Sequence, residues 1–352
     1  MMLAGAWLFS QLVLPGMAKL VTISNAVPRV DTSGHIMDAH DSKMVYHQGM
    51  YYWFAASYGD CAEPDGDDGC AHVGIGNCGF REDHNVTLYT SLDLHSWIKV
   101  GVVFSAAGKL PASSVLFAPK TVLNPNTKEW VMWFNYITGD FSKSFYGVAV
   151  SKAPEGPFTL AVEKVGTLAN SDNGDQNLFV DRNGTGYLIY TSIGNNHQIS
   201  IEQLTPDFRG TLGAKGSSGF IGQSFSEAPM MFRRGSLYYV VFGQCCCYCG
   251  KGSPVDAYTA DRPLGPYTKR SSLGELHSQS TDIFGFVDDA GNEQFMYIGD
   301  HWQSAPDRLK SHDFTVWAPL RFEADGSVTS AGFQDNFTVG VSHTERMESV
   351  VV

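Results

Sequence analysis

Apolar positions along the chain fall in short runs of four or five residues. The runs are rich in aromatic and β-branched side chains and end at Gly, Pro, Asn or Asp. That pattern predicts buried β-strands joined by tight turns. No stretch carries a sustained helical stripe. One run, Tyr51-Tyr52-Trp53-Phe54, recurs in kind as Trp130-Val131-Met132-Trp133-Phe134, Tyr187-Leu188-Ile189-Tyr190, Tyr238-Tyr239-Val240-Val241-Phe242 and Phe295-Met296-Tyr297-Ile298. The five copies are spaced at roughly 50 to 80 residues, near or above the period of a propeller blade.

Each copy follows a turn. Gln48-Gly49, Asn124-Pro125-Asn126, Asp181-Arg182-Asn183-Gly184, Arg234-Gly235 and Asp288-Asp289-Ala290-Gly291-Asn292 stand just upstream of the five runs. These are hairpin signals between apolar strands. After four copies comes a further strand and a closing phrase: SLDLHSW (91–97), SKAPEGPF (151–158), LTPDF (204–208) and ADRPLGPY (260–267). Strand, hairpin, aromatic strand, strand and closing turn make a four-stranded blade. Five such units predict an all-β, five-bladed β-propeller in a single domain over residues 19–352. A two-sheet sandwich is the alternative, but sandwiches do not usually repeat matched GPF and GPY phrases after matched hairpins. The tail after Thr329 is expected to close the ring or form a short extension.

Composition agrees with many short strands and turns: 37 Gly, 22 Phe, 15 Tyr and 7 Trp. The net charge of −12, with no Lys/Arg cluster, argues against a nucleic-acid partner and is compatible with a neutral polysaccharide or oligosaccharide. Residues 1–18, MMLAGAWLFSQLVLPGMA, have an apolar stretch of signal-peptide length followed by small residues, without the basic start. A secretory signal is expected there; a buried N-terminal segment is the alternative. No other segment is suited to cross a membrane, so a secreted monomer is expected. Sequons at Asn85, Asn183 and Asn336 add modest support. Of the seven cysteines, Cys61, Cys70 and Cys78 lie early, and Cys245, Cys246, Cys247 and Cys249 form QCCCYC. Disulfides are expected, among them Cys61 to Cys70, with one thiol left over. Zinc is the rival reading, but the chain has no paired CxxC knuckles.

Acids recur just before the first hairpin of several blades. Blade one has Asp38-Ala39-His40-Asp41, blade three has Asp175 in GDQNLF, and blade four has Glu227 in SEAPMMF. Blade two carries Phe117-Ala118-Pro119-Lys120 instead, a polar or cationic edge. Blade five carries His277-Ser278-Gln279-Ser280-Thr281-Asp282. A carboxylate entering an apolar strand is costly unless paired or used. One alone is more often a turn cap; their apparently equivalent register in separate blades points to a shared function.

These residues resemble those of glycoside hydrolase family 43 from about Val21 to Thr329. The resemblance implies a five-bladed propeller with a base Asp, a pKa-modulating Asp and an acid Glu at its axis. His40-Asp41-Ser42 stands at the family's HDP-like position, DQNLF at DPSLF, and SEAPMMF at the EGP/EAP phrase. Within the family, AHDSKMVYHQGMYYWF, APKTVLNPNTKEWVMWF, SQST and YIGDHW are most similar to exo-β-1,3-galactanases. Those enzymes have Gly where Asp41 stands and a substrate-binding Glu where Ala118 stands. A Gln in their SQ phrase assists the water.

The resemblance implies an inverting hydrolase with Glu227 as acid and Asp41 as base. Asp175 would modulate Glu227, Gln279 would orient the water, and Asp38 is the reserve base. Phe117, Tyr136, Phe225, Tyr248 and especially Trp302 are candidate sugar platforms, although core packing is the competing reading. Lys120, His40 and His277 are candidate substrate contacts. No cofactor is expected; a structural calcium is left open, including one at the acidic loop 60–68. A hydrolase of arabinofuranosides or β-xylosides, or a non-catalytic sugar-binding propeller, remains an alternative.

Overall fold

The computed structural model describes residues 19–63, 84–140, 142–244, 248–288 and 290–342. The expected signal at 1–18, most of the acidic loop, Cys70, Cys78 and Cys245 to Cys247 lie outside these residues. Cys61 and Cys249 are each disulfide-bonded.

The chain begins with β1 (Lys19–Ser24). Blade I then comprises β2 (His40–His47), β3 (Met50–Ser57), β4 (Asn85–Ser91) and β5 (Ile98–Ser105). Blade II comprises β6 (Val115–Leu123), β7 (Trp130–Ile137), β8 (Ser144–Ser151) and β9 (Thr159–Val162). Blade III comprises β10 (Asn173–Val180), β11 (Gly186–Ser192), β12 (Gln198–Gln203) and β13 (Ser217–Ile221). Blade IV comprises β14 (Ser226–Arg234), β15 (Leu237–Gln244), β16 (Pro254–Ala260) and β17 (Thr268–Glu275). Blade V comprises β18 (Gln279–Val287), β19 (Glu293–His301), β20 (Phe314–Phe322) and β21 (Val328–Ser330), and β22 (Asn336–Val341) ends the described chain.

Each blade is an antiparallel meander in sequence order. The inner strands β2, β6, β10, β14 and β18 lie side by side, and β18 returns to β2. Five separate sheets in a closed ring are a propeller and rule out a two-sheet sandwich. Among the described residues no helix is long and apolar enough to cross a membrane.

The hairpins form where the sequence places them. Gln48 and Gly49 both have positive φ (48° and 85°), the backbone that a two-residue turn between twisted strands requires. The continuous aromatic runs have a packing reason. Successive side chains of a strand point to opposite faces, and each aromatic strand is covered on both. Trp53 enters a core shared by blades I and V, whereas Phe54 enters one shared by I and II. Trp133 packs between II and III, Ile189 between III and IV, and Tyr297 between IV and V. Five inter-blade cores thus replace one central core.

Ring closure falls partly outside the blades. The tail strand β22 pairs antiparallel with β1, from Lys19 opposite Val341 to Ser24 opposite Asn336. Val21, Ile23 and Val341 extend the core between blades V and I. Asn25 ties this ribbon to β20: its Nδ2 donates to the Trp317 carbonyl and its Oδ1 accepts from the Trp317 amide, both at 2.9 Å.

Candidate active site

The inner strands all break register near their starts. The breaks lie between His40 and Lys43, Phe117 and Lys120, Asn173 and Gln176, Glu227 and Met230, and Ser280 and Asp282. Each break inserts one residue, and such a bulge re-aims the side chains around it. Asp41, Ala118 and Ala228 take positive φ there (50°, 44° and 54°), a backbone that non-glycine residues seldom adopt. The acids do not share one register position, which corrects the expectation above. Glu227 immediately precedes its bulge, Asp41 is the first residue inside its bulge, and Asp175 is the second. Sequence spacing could not separate these cases because all three fall at the start of an inner strand.

Asp41, Lys120, Asp175 and Gln279 line one cavity at the propeller axis, together with the Ala228-Pro229 segment that follows buried Glu227. Gln279 joins the acids: its Nε2 donates to Asp175 Oδ2 (3.4 Å) and Glu227 Oε1 (3.3 Å). Its Oε1 accepts from the indole N–H of Trp302 at 2.8 Å. Because an indole nitrogen can only donate, this bond orients the amide with its nitrogen toward the carboxylates.

Asp41 Oδ2 accepts from the Tyr58 hydroxyl, and its amide donates to Asp300 Oδ2, both at 2.8 Å. Burial raises the Asp41 carboxyl above its ordinary range, and the neighbouring Asp300 charge raises it further. Lys120 Nζ donates to the carbonyls of Asp41, Ser42 and Thr281 at 3.0, 2.6 and 2.8 Å. Burial lowers Lys120 to about 8 against the pull of Asp282 and Asp41.

An aromatic cluster adjoins Asp41 and Gln279 through Tyr58 and Trp302. Trp302 meets Tyr58, Tyr248 and His40 with ring centroids 5.5, 5.1 and 5.1 Å apart. Buried Lys310 places its Nζ 3.5 Å from the Tyr248 centroid and 4.4 Å from that of Trp302. It also lies 3.8 Å from Glu63 Oε2. Burial pulls Lys310 down and pushes Glu63 up. The segments carrying these residues are joined by an antiparallel bridge between Ala62 and Leu309.

The model for glycosyl hydrolases family 43 matches residues 36–327. The chain belongs to this family. It is therefore a glycoside hydrolase. No curated protein sequence matches the chain. An exo-β-1,3-galactanase from Clostridium thermocellum superposes with a TM-score of 0.75 at 25% identity, covering 94% of this chain and 68% of that one. The exo-β-1,3-galactanase of Phanerochaete chrysosporium, crystallised as a variant with β-1,3-galactotriose, gives 0.74 at 22% identity, covering 92% and 70%. A family 43 β-1,3-galactosidase with galactodeoxynojirimycin gives 0.70 at 21% identity, covering 89% and 99%.

In this family 43 chain several expected substrate contacts are buried. Trp302 has no exposed surface, so it supports Gln279 instead of presenting a face to a sugar. Tyr136 belongs to the core between blades I and II. Phe117 and Tyr248 are buried in the cluster around Trp302. His40 is wholly buried, with Asp300 3.5 Å from Nδ1 and Asp38 3.8 Å from Nε2. Asp38 caps a turn: its two oxygens accept the Tyr58 and Gly59 amides at 2.9 and 2.8 Å. His277 is exposed and lies edge-on to Phe333 at 5.4 Å. Phe225 stays exposed at 65%.

Sequence reasoning overlooked Tyr58, Asp300 and Lys310. Asp300 had a signal, an acid closing an otherwise apolar strand in YIGDHW. Tyr58 and Lys310 had none, because their roles depend on two distant loops meeting. Among the described residues no three His, Cys, Asp or Glu side chains are grouped to hold a metal ion.

Proposed function

We propose that this hydrolase releases galactose from the ends of β-1,3-linked galactan with inversion at the anomeric carbon. The observation that carries the reading is the Gln279 bridge between Asp175 and Glu227, in a cavity that Asp41 also lines. The galactanases and the galactosidase of similar fold favour galactose as the sugar.

In this mechanism Asp41 removes a proton from water as the water oxygen bonds to the anomeric carbon. The bond from that carbon to the bridging oxygen breaks, and Glu227 gives its proton to the departing oxygen. The products leave with Asp41 protonated and Glu227 ionised, and exchange with solvent resets both. The elevated carboxyl of Asp41 suits a base, since a higher pKa means stronger proton affinity. Asp175, beside Glu227 through Gln279, favours the protonated acid by like-charge repulsion. Gln279 orients the water or a sugar hydroxyl. Residues 1–18 act in this reading as a secretory signal, supported by their apolar stretch and by the exposed sequon residues Asn183 and Asn336.

The test compares wild type with Glu227→Gln on β-1,3-galactan, arabinan and arabinoxylan. Galactose release from galactan alone, lowered at least about a hundredfold in the variant, is expected. Equal release by the two proteins removes Glu227 as the acid. Release from arabinan or arabinoxylan in place of galactan moves the enzyme to arabinofuranosides or xylosides.

A further inference from the structure

Of the five aromatic residues that the sequence places at the mouth, four are buried and Phe225 is not. A single exposed phenylalanine needs no explanation. This one is held in an unusual backbone. Phe225 has a φ of 59°, and the facing Asn196 and His197 have 57° and 51°. Bulky residues rarely accept this conformation, and such departures concentrate at ligand sites.

Two backbone bonds hold the arrangement. The Phe225 amide donates to the Asn196 carbonyl at 2.8 Å, and the Ser226 amide donates to the His197 carbonyl at 2.9 Å. They join the connection between β11 and β12 to the start of β14. Ser192, which ends β11, pairs with Asn173 at the start of β10, so this connection lies at the cavity end of blade III. The rings of His197 and Phe225 are nearly parallel, 17° apart with centroids 6.5 Å apart. The two rings are therefore stacked on each other, with Phe225 two residues before Glu227.

We infer that Phe225 and His197 form a binding platform for the sugar on the leaving-group side of the cleaved bond. This rests on the proposed role of Glu227. A general acid touches the bridging oxygen, so the strand segment running outward from it meets the departing residue. The apolar face of a neutral pyranose packs on an aromatic face without needing charge.

The test compares two substrates. β-1,3-Galactotriose, or the oligosaccharide of whichever sugar the substrate screen identifies, has a ring on the leaving side. The β-fluoride of the released sugar has none and needs no proton from Glu227. Phe225→Ala is expected to lower kcat/KM on the oligosaccharide about tenfold and leave the fluoride unchanged. His197→Ala should cause a smaller loss of the same kind, and Phe225→Trp should restore the oligosaccharide rate. Equal loss on both substrates, loss on the fluoride alone, or no loss on either overturns the platform. Glu227→Gln reports separately: it should lose the oligosaccharide and keep the fluoride. If it retains both substrates, the acid assignment fails and the leaving-side placement of the platform fails with it; a Glu227→Gln split as expected beside equal or absent Phe225→Ala effects overturns the platform alone.

Discussion

At the scale of single residues, the site depends on groups that never reach the sugar. Trp302 gives its indole N–H to Gln279 and thereby sets which end of the amide meets the two acids. Trp302→Phe keeps most of the buried ring and deletes that donor. It is expected to lower kcat about tenfold or more with little change in KM, because a misaligned water affects the reaction more than binding; steady-state kinetics on galactan oligosaccharides check this. Asp300 raises the carboxyl of Asp41 by proximity of like charge. Asp300→Asn removes that charge, so Asp41 ionises at lower pH. The acid limb of kcat/KM should then move to lower pH; an unmoved or raised limb contradicts the coupling. The sequence displayed Asp41, Asp175, Glu227 and Gln279 because acids and amides are rare at the starts of buried strands. It did not display the burial of Trp302, because the covering segments are far apart along the chain and meet through Ala62 and Leu309.

At the scale of elements, the aromatic strands were legible because both of their faces are buried, which leaves runs such as YYWF in place of an alternating pattern. The bulges were not legible. One inserted residue changes which side chain faces the axis without changing the composition of the segment, so Asp41, Asp175 and Glu227 looked equivalent and are not. Trp53 shows the energetic weight of these strands. It is fully buried against Trp97 and Trp317, with centroids 5.1 and 5.4 Å away. Trp53→Ala is expected to destabilise the fold by about 3–5 kcal/mol in denaturant unfolding. The closing ribbon makes a smaller contribution: Asn25→Ala leaves both Trp317 backbone groups without that partner, at a cost of about 1–3 kcal/mol.

At the scale of the whole molecule, the ring brings together inner strands that are far apart in sequence and places charge in a mostly buried hub. Lys43 meets Asp282 at 2.9 Å, and Asn177 donates to the same carboxylate at 3.1 Å. His40 belongs to this interior. Burial opposes its charge, but Asp300 and Asp38 overcome that and raise it from 6.5 to about 9. The stability contributed by charged His40 is present in full below pH 6.5 and declines as pH rises through about 9. Urea unfolding across that interval should show the decline, and His40→Gln should remove this part of it. A propeller was legible in the fivefold repeat, whereas the ribbon that joins its ends was only partly so, since β22 carries no aromatic run of the repeated kind.

Inversion requires water to attack from the face opposite the departing oxygen, with Asp41 and Glu227 on the two sides of one sugar. Proton NMR recorded during the first turnovers on β-1,3-galactotriose observes this directly. α-Galactose is expected to appear first, with the β-anomer accumulating later by mutarotation; β-galactose appearing first would contradict an inverting attack by water at Asp41.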